Sequence, residues 1–180
     1  MAVIYDATLN PTKPDVVRTY LDGTSWGGSG DLDMLAAYRL DDPAGTVGIE
    51  AHLVARGGRT LHVPLTYRGE PLDGADEHLI ATMDHSVLGK RWVYAAAGDP
   101  VAVAAFTAVL RGEQPQADQE LHLADGRVEP LNNLVQLSVN GEAGDADALG
   151  FTDDAAEPAE GAATLTAQWS GGTAIVAALR

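Results

Sequence analysis

Cations, aromatic rings and a histidine crowd together most densely in the segment His85-Ser86-Val87-Leu88-Gly89-Lys90-Arg91-Trp92-Val93-Tyr94. Tryptophan and tyrosine faces stack on sugar rings, and lysine or arginine holds phosphate or carboxylate through charge-assisted hydrogen bonds. Trp26, His85, Lys90, Arg91 and Trp92 are therefore the candidate ligand-binding residues. A structural reading competes: in a strand Trp92 and Tyr94 pack into the sheet, and Lys90 and Arg91 pair with acids in a chain of net charge −15.

Other constellations point to chemistry less well. The string Leu121-His122-Leu123-Ala124-Asp125, followed by Asn132 and Asn133, is the nearest approach to a kinase catalytic loop. That loop needs an aspartate base and a metal-binding asparagine spaced D-x-x-x-x-N, and Gly126 and Pro130 break up the longer interval here. A strand, an Asp-Gly turn and another strand describe it better. Gly27-Gly28-Ser29-Gly30 lacks the Lys-Ser/Thr ending of a phosphate loop. Histidines 52, 62, 78, 85 and 122 form no H-x-x-x-H pair. His52 and His62, with Glu50, fall on the polar face of neighbouring strands, where they are either a surface metal site or, as we read them, solvated residues. Asp41-Asp42 and Asp153-Asp154 read as turn formers, without a calcium-loop pattern. No serine lies in G-x-S-x-G. No catalytic residue, metal ligand or cofactor is assigned.

The composition narrows the classes further. With 180 residues the chain has room for one domain, and with 46% hydrophobic residues it has material for a core. The absence of cysteine excludes disulfides and thiolate chemistry. A net charge of −15 with only two lysines, Lys13 and Lys90, repels nucleic acid and anionic lipid. No stretch approaches the roughly 20 apolar residues of a membrane span. The opening MAVIYDATLN lacks a basic segment followed by a long apolar one, which predicts a cytoplasmic protein without a secretory signal.

The elements that must position these residues read as follows. Residues 2–9 predict an opening strand; Pro14 to Gly23 predict a short helix capped by Thr12 or Lys13; residues 23–31 predict a loop. Residues 32–68 predict a meander of three strands turning at Asp41–Gly45 and Gly57–Gly58. A two-residue turn at Gly57-Gly58 pairs Val54 with Leu61 and places Glu50 and His52 beside Leu65 and Val63. A three-residue loop that includes Arg59 pairs Ala55 with Leu61 and puts both apolar rows on one face, so the three-residue loop is expected. Pro64 cannot donate to a ladder, which predicts an edge strand or a bulge there. Gly69 to Leu79 predict a turn entering a short helix, and Leu88–Ala97 a strand. Asp99 as N-cap, Pro100 at the first helical position and the stripe Val101, Ala105, Phe106, Val109 and Leu110 predict a helix over 100–111. Strands are expected near 117–123, 127–129 and 134–140, then a long acidic exposed loop over 141–161, then a hairpin turning on Gly171-Gly172. Strands that follow one another as hairpins predict an α+β fold, a curved antiparallel sheet with two or three helices packed on one face.

The segments RLDDPAGTVGIE (39–50), HVPLTYRGEPLDGADEHLIATMDHSVLGKRWVYAAAGDP (62–100) and the helix ending LRGE (110–113) together resemble the N-terminal cap of maltokinases and its stand-alone actinobacterial relatives, often labelled glucan branching proteins. The resemblance covers residues 1–115; residues 116–180 are expected to continue the same domain as a β-rich extension. It implies a somewhat cystatin-like cap, accessory to a kinase whose phosphotransfer residues lie downstream of the cap. A branching enzyme needs a much larger catalytic barrel. The resulting expectation is a non-catalytic accessory module in maltose, trehalose or α-glucan metabolism, with a protein partner there or a homodimer through an edge strand. A small-ligand or carbohydrate-binding domain is the alternative, and a small enzyme using His85 or His122 the third.

Overall fold

The computed structural model describes residues 1–180. The chain runs through β1 (Ala2–Tyr5), β2 (Leu9–Asn10), α1 (Lys13–Asp22), β3 (Leu32–Leu40), β4 (Val47–Arg56), β5 (Arg59–Arg68), β6 (Leu79–His85), β7 (Gly89–Ala95) and α2 (Pro100–Leu110). It continues with β8 (Gln119–His122), β9 (Val128–Leu131), β10 (Gln136–Gly141), β11 (Leu149–Phe151), β12 (Ala163–Trp169) and β13 (Gly172–Leu179). Three sheets result, ordered β2-β6-β7-β5-β4-β3, β10-β12-β13-β11 and β1-β8-β9. All pairings are antiparallel except β1 with β8. The fold is α+β with a curved antiparallel sheet, as the hairpin pattern predicts.

The helices start where their caps dictate. Thr12 accepts from Asp15 N–H while the Asp15 carboxylate accepts from Thr12 N–H, a capping box that opens α1. Gly23 follows α1 in right-handed rather than left-handed conformation, with φ −86°. Asp99 opens α2, accepting from Val101 N–H at 3.0 Å. It also takes two hydrogen bonds of 2.7 Å from the Arg68 guanidinium, which fasten the end of β5 to the helix start.

The sequence predicts helices packed on one face of the sheet; the two helices instead lie against opposite faces. Val16, Val17 and Leu21 of α1 pack on Val54, Leu61, Val63 and Leu65. Phe106, Val109 and Leu110 of α2 pack on Ile49, Ala51 and Leu53, together with Leu165, Val176 and Leu179 of the four-stranded sheet. Odd and even positions of β4 therefore both point into cores, and the sheet is a central layer.

The turn between β4 and β5 corrects the expected loop. It has two residues: Arg56 pairs with Arg59, and Gly57 and Gly58 adopt φ +58° and +76°. Two consecutive positive φ angles match the right-handed twist of a hairpin and suit glycine. Matching the apolar rows failed as a guide because β4 and β5 are covered on both faces and have no solvated face to fill with polar residues. Val54 consequently faces Leu61, and His52 faces Val63. The last hairpin turns on Ser170-Gly171, with Trp169 opposite Gly172, and a bulge beyond Leu165 follows.

Pro64 does not mark a free edge either. β5 lies between β4 and β7, and Pro64 sits just before its pairing with β7 begins at Leu65. Over the first half of β5 that side is covered by residues 153–155: His62 N–H donates to the Asp153 carbonyl and Ala155 N–H to the Thr60 carbonyl, both at 2.9 Å. A homodimer through that edge is thereby ruled out; the large sheet ends at β3 and β2. The acidic segment 141–161 contains β11 and this covering stretch rather than a plain exposed loop. No helix is long and apolar enough to cross a membrane.

Candidate functional site

Charged side chains gather at one end of the α1-facing side of the large sheet. Glu50 and Arg39 are cross-strand neighbours on β4 and β3. Lys13, in the first turn of α1, reaches the same carboxylate: Nζ lies 2.9 Å from Oε1 and 2.8 Å from Oε2. Arg39 Nη2 stands 3.2 Å from Oε2. Burial alone would raise the Glu50 carboxyl, but the charges of Arg39, His52 and Lys13 outweigh it and hold it at about 2. His52 Nε2 is 3.3 Å from the Tyr67 hydroxyl, and burial depresses this histidine to about 4 despite Glu50 nearby. Burial raises the Tyr67 hydroxyl well above its ordinary range. At neutral pH the cluster holds a carboxylate, two cations, a neutral imidazole and a phenol.

This cluster forms part of the wall of a cleft of about 460 Å³. Residues 1–5 and Ala7 cover one side, the Leu40–Gly48 turn region a second, and Met83, His85, Leu88 and Arg91 of the β6–β7 hairpin a third. Ser86 ties the covering segment down, accepting from Thr8 N–H at 2.9 Å and donating its own N–H to the Thr8 carbonyl at 3.0 Å. His85 Nδ1 accepts from Val87 and Leu88 N–H groups, which leaves Nε2 as the protonated nitrogen. Burial, then the charges of Arg91 and Lys13, lower the His85 pKa.

The five candidate binding residues divide among three places. His85 and Arg91 line the cleft. Lys90 and Trp92 occupy the alternate face of β7, where Lys90 Nζ sits 5.0 Å from the Trp92 ring centroid. Trp26 lies beyond α1, edge-on to Tyr20 with centroids 5.8 Å apart, its carbonyl accepting from Arg59. Glu50, His52, Arg39, Lys13 and Tyr67 were missed as a group. The signal was the Gly57-Gly58 dipeptide, since the two-residue turn buries Glu50 and His52.

The same register separates the two strand histidines. His52 faces Tyr67, whereas His62 lies on the other side of the sheet with Tyr38 and Thr152, and both are buried. They are not solvated and cannot share an ion. No group of three or more His, Asp or Glu side chains converges to hold a metal. His122 pairs with Glu120 at 2.7 Å and lies edge-on to Tyr5.

No curated protein and no solved structure matches the chain. A family model does match, that of the maltokinase N-terminal cap domain, over residues 20–99. The matched stretch runs from the end of α1 to the N-cap of α2, and it carries Arg39, Glu50, His52, Tyr67, His85 and Arg91 but neither Lys13 nor the covering segment. Over residues 20–99, somewhat less than half of its length, the chain is similar to the maltokinase N-terminal cap domain.

Proposed function

We propose that this chain is a non-catalytic accessory module, acting in the cytoplasm on a protein partner of maltose, trehalose or α-glucan metabolism. The match of residues 20–99 to the cap-domain family carries this reading. The chemistry of the buried cluster supports it. A general base works best when its pKa lies near the operating pH. Glu50 is held at about 2 and His52 at about 4, and Glu50 is engaged by two cations. These groups are set to hold the sheet, α1 and β3 together.

The test is affinity capture of the tagged full chain from its native lysate, followed by size-exclusion chromatography of what is recovered. Stoichiometric recovery of an enzyme acting on maltose, trehalose or an α-glucan is expected. A monomer that retains no such enzyme, or magnesium-dependent ATP turnover that tracks purity, overturns the proposal.

A second reading, a small-ligand site, is favoured by one observation: His85 and Arg91, two of the residues with binding chemistry, line the same cleft.

A further inference from the structure

We propose that the cleft beneath the first strand binds the oxyanion of a small molecule, a phosphate or carboxylate group seated between Arg39 and Arg91. The proposal stands apart from the accessory-module reading and does not need it.

Three cations, Lys13, Arg39 and Arg91, line one cleft in a chain that has eleven lysines and arginines among 180 residues. Each carboxylate in the same wall is already engaged. Asp41 pairs with the N-terminal ammonium at 2.6 Å. Asp42 accepts from the N–H groups of Ala44, Thr46 and Val47, all at 2.9 Å. Glu50 takes Lys13 and Arg39.

The arginines, by contrast, have unspent donors. Arg91 has no carboxylate partner; Nη2 donates to the Leu88 carbonyl, and Nε is buried without an acceptor. Arg39 Nε is likewise buried without an acceptor, and its single ionic contact is the 3.2 Å approach to Glu50. Guanidinium groups present five N–H donors in a planar fork that matches phosphate and carboxylate oxygens. Both guanidinium groups line the cleft, where an acceptor with several oxygens can meet Nη1 of each, which has no hydrogen-bond partner in the protein. The protonated Nε2 of His85 adds a neutral donor at the rim. The volume of about 460 Å³ suits a small metabolite, and Ile4, Leu9 and Met83 offer apolar wall to its remainder.

The experiment is a thermal-shift titration of the full chain with inorganic phosphate, glycerol 3-phosphate and succinate, at constant ionic strength, with glycerol as the neutral control. A saturable stabilisation by at least one of the anions and none by glycerol is expected; the anion that acts at the lowest concentration identifies phosphate or carboxylate as the source. Arg91→Gln should weaken the response about ten- to hundredfold, since hydrogen bonds to charged groups are the strong ones. Lys90→Gln, on the opposite face of β7, should leave it unchanged. A flat response to all three anions, or equal loss in both variants, overturns the proposal. If Arg91→Gln does not fold, amide chemical-shift mapping of the native chain decides: phosphate perturbations clustered at residues 39, 50, 85 and 91 support the site, and perturbations elsewhere overturn it.

Discussion

The Tyr38 hydroxyl donates a hydrogen bond to Nε2 of His62 at 2.9 Å, with the two rings nearly parallel and their centroids 6.0 Å apart. The direction of donation follows from the other nitrogen. Nδ1 lies 3.1 Å from the Thr152 carbonyl, which can only accept, so Nδ1 carries the proton and Nε2 accepts. A neutral His62 is fully satisfied in a dry core, and a second proton has no place there.

A pH dependence of stability follows. Burial holds His62 and His52 at about 4 in the folded chain, against an ordinary value of 6.5. Between those values the unfolded chain binds more protons, so stability falls as pH drops from 6.5 towards 4. The loss is on the order of 3 kcal/mol per histidine. Glu50, held at about 2 against 4.5, extends the loss below pH 4.5. Urea midpoints measured from pH 7.5 to 3.5 should decline from about 6.5 downwards, and a profile flat to pH 4.5 would contradict the assignment.

Glu50→Gln removes the anion between Lys13 and Arg39 while preserving shape. Breaking a buried pair by deleting one partner costs about 3–5 kcal/mol, and a loss of that size is expected in denaturant unfolding. Asp125→Asn, at an exposed pair with Arg127, should leave the midpoint unmoved. Equal effects at the two sites would show that the Glu50 cluster is not structural.

Asp99→Ala removes the cap of α2 and strands the Arg68 guanidinium beside the sheet. A loss of about 4–6 kcal/mol is expected by combining the cap with the broken buried pair. Arg68→Lys keeps the charge but loses the fork and should cost less. Calorimetry on the two variants compares them directly.

Gly58→Ala places a Cβ on a residue with φ +76°, at an expected cost of about 1–2 kcal/mol. Nothing lies within 4 Å of that Cβ, so the cost is one of backbone conformation. Gly58→Asn should recover part of it, because asparagine tolerates the left-handed region. Identical midpoints for the two variants would argue against the two-residue turn.

Local signals in the chain were faithful. The Thr12-x-x-Asp15 box, the Asp99-Pro100 start and the alternation along β4 each name their element. β6 escaped notice because Leu79–His85 alternates weakly and is largely exposed on one side. Burial was the harder quantity. Whether a polar row faces water or a helix depends on what arrives from elsewhere in the chain, and Glu50, His52 and His62 look the same in sequence either way. The cleft was illegible for the same reason: its walls come from residues 1–9, 13, 39–50, 67 and 83–91, which no local pattern connects. His85 and Arg91 were visible as chemistry, and Trp26, Lys90 and Trp92 shared that chemistry without sharing the place.

The covering of β5 by residues 153–155 sets an order on synthesis. When residue 100 leaves the ribosome, β3 to β7 are all present, but Leu61 and His62 still lack the strand partner that closes their side, and His62 lacks the Thr152 carbonyl. At about 5–20 residues per second, the nascent chain waits several seconds for that closure. During that interval its half-finished sheet is a surface for chaperones to hold and for other nascent chains to meet.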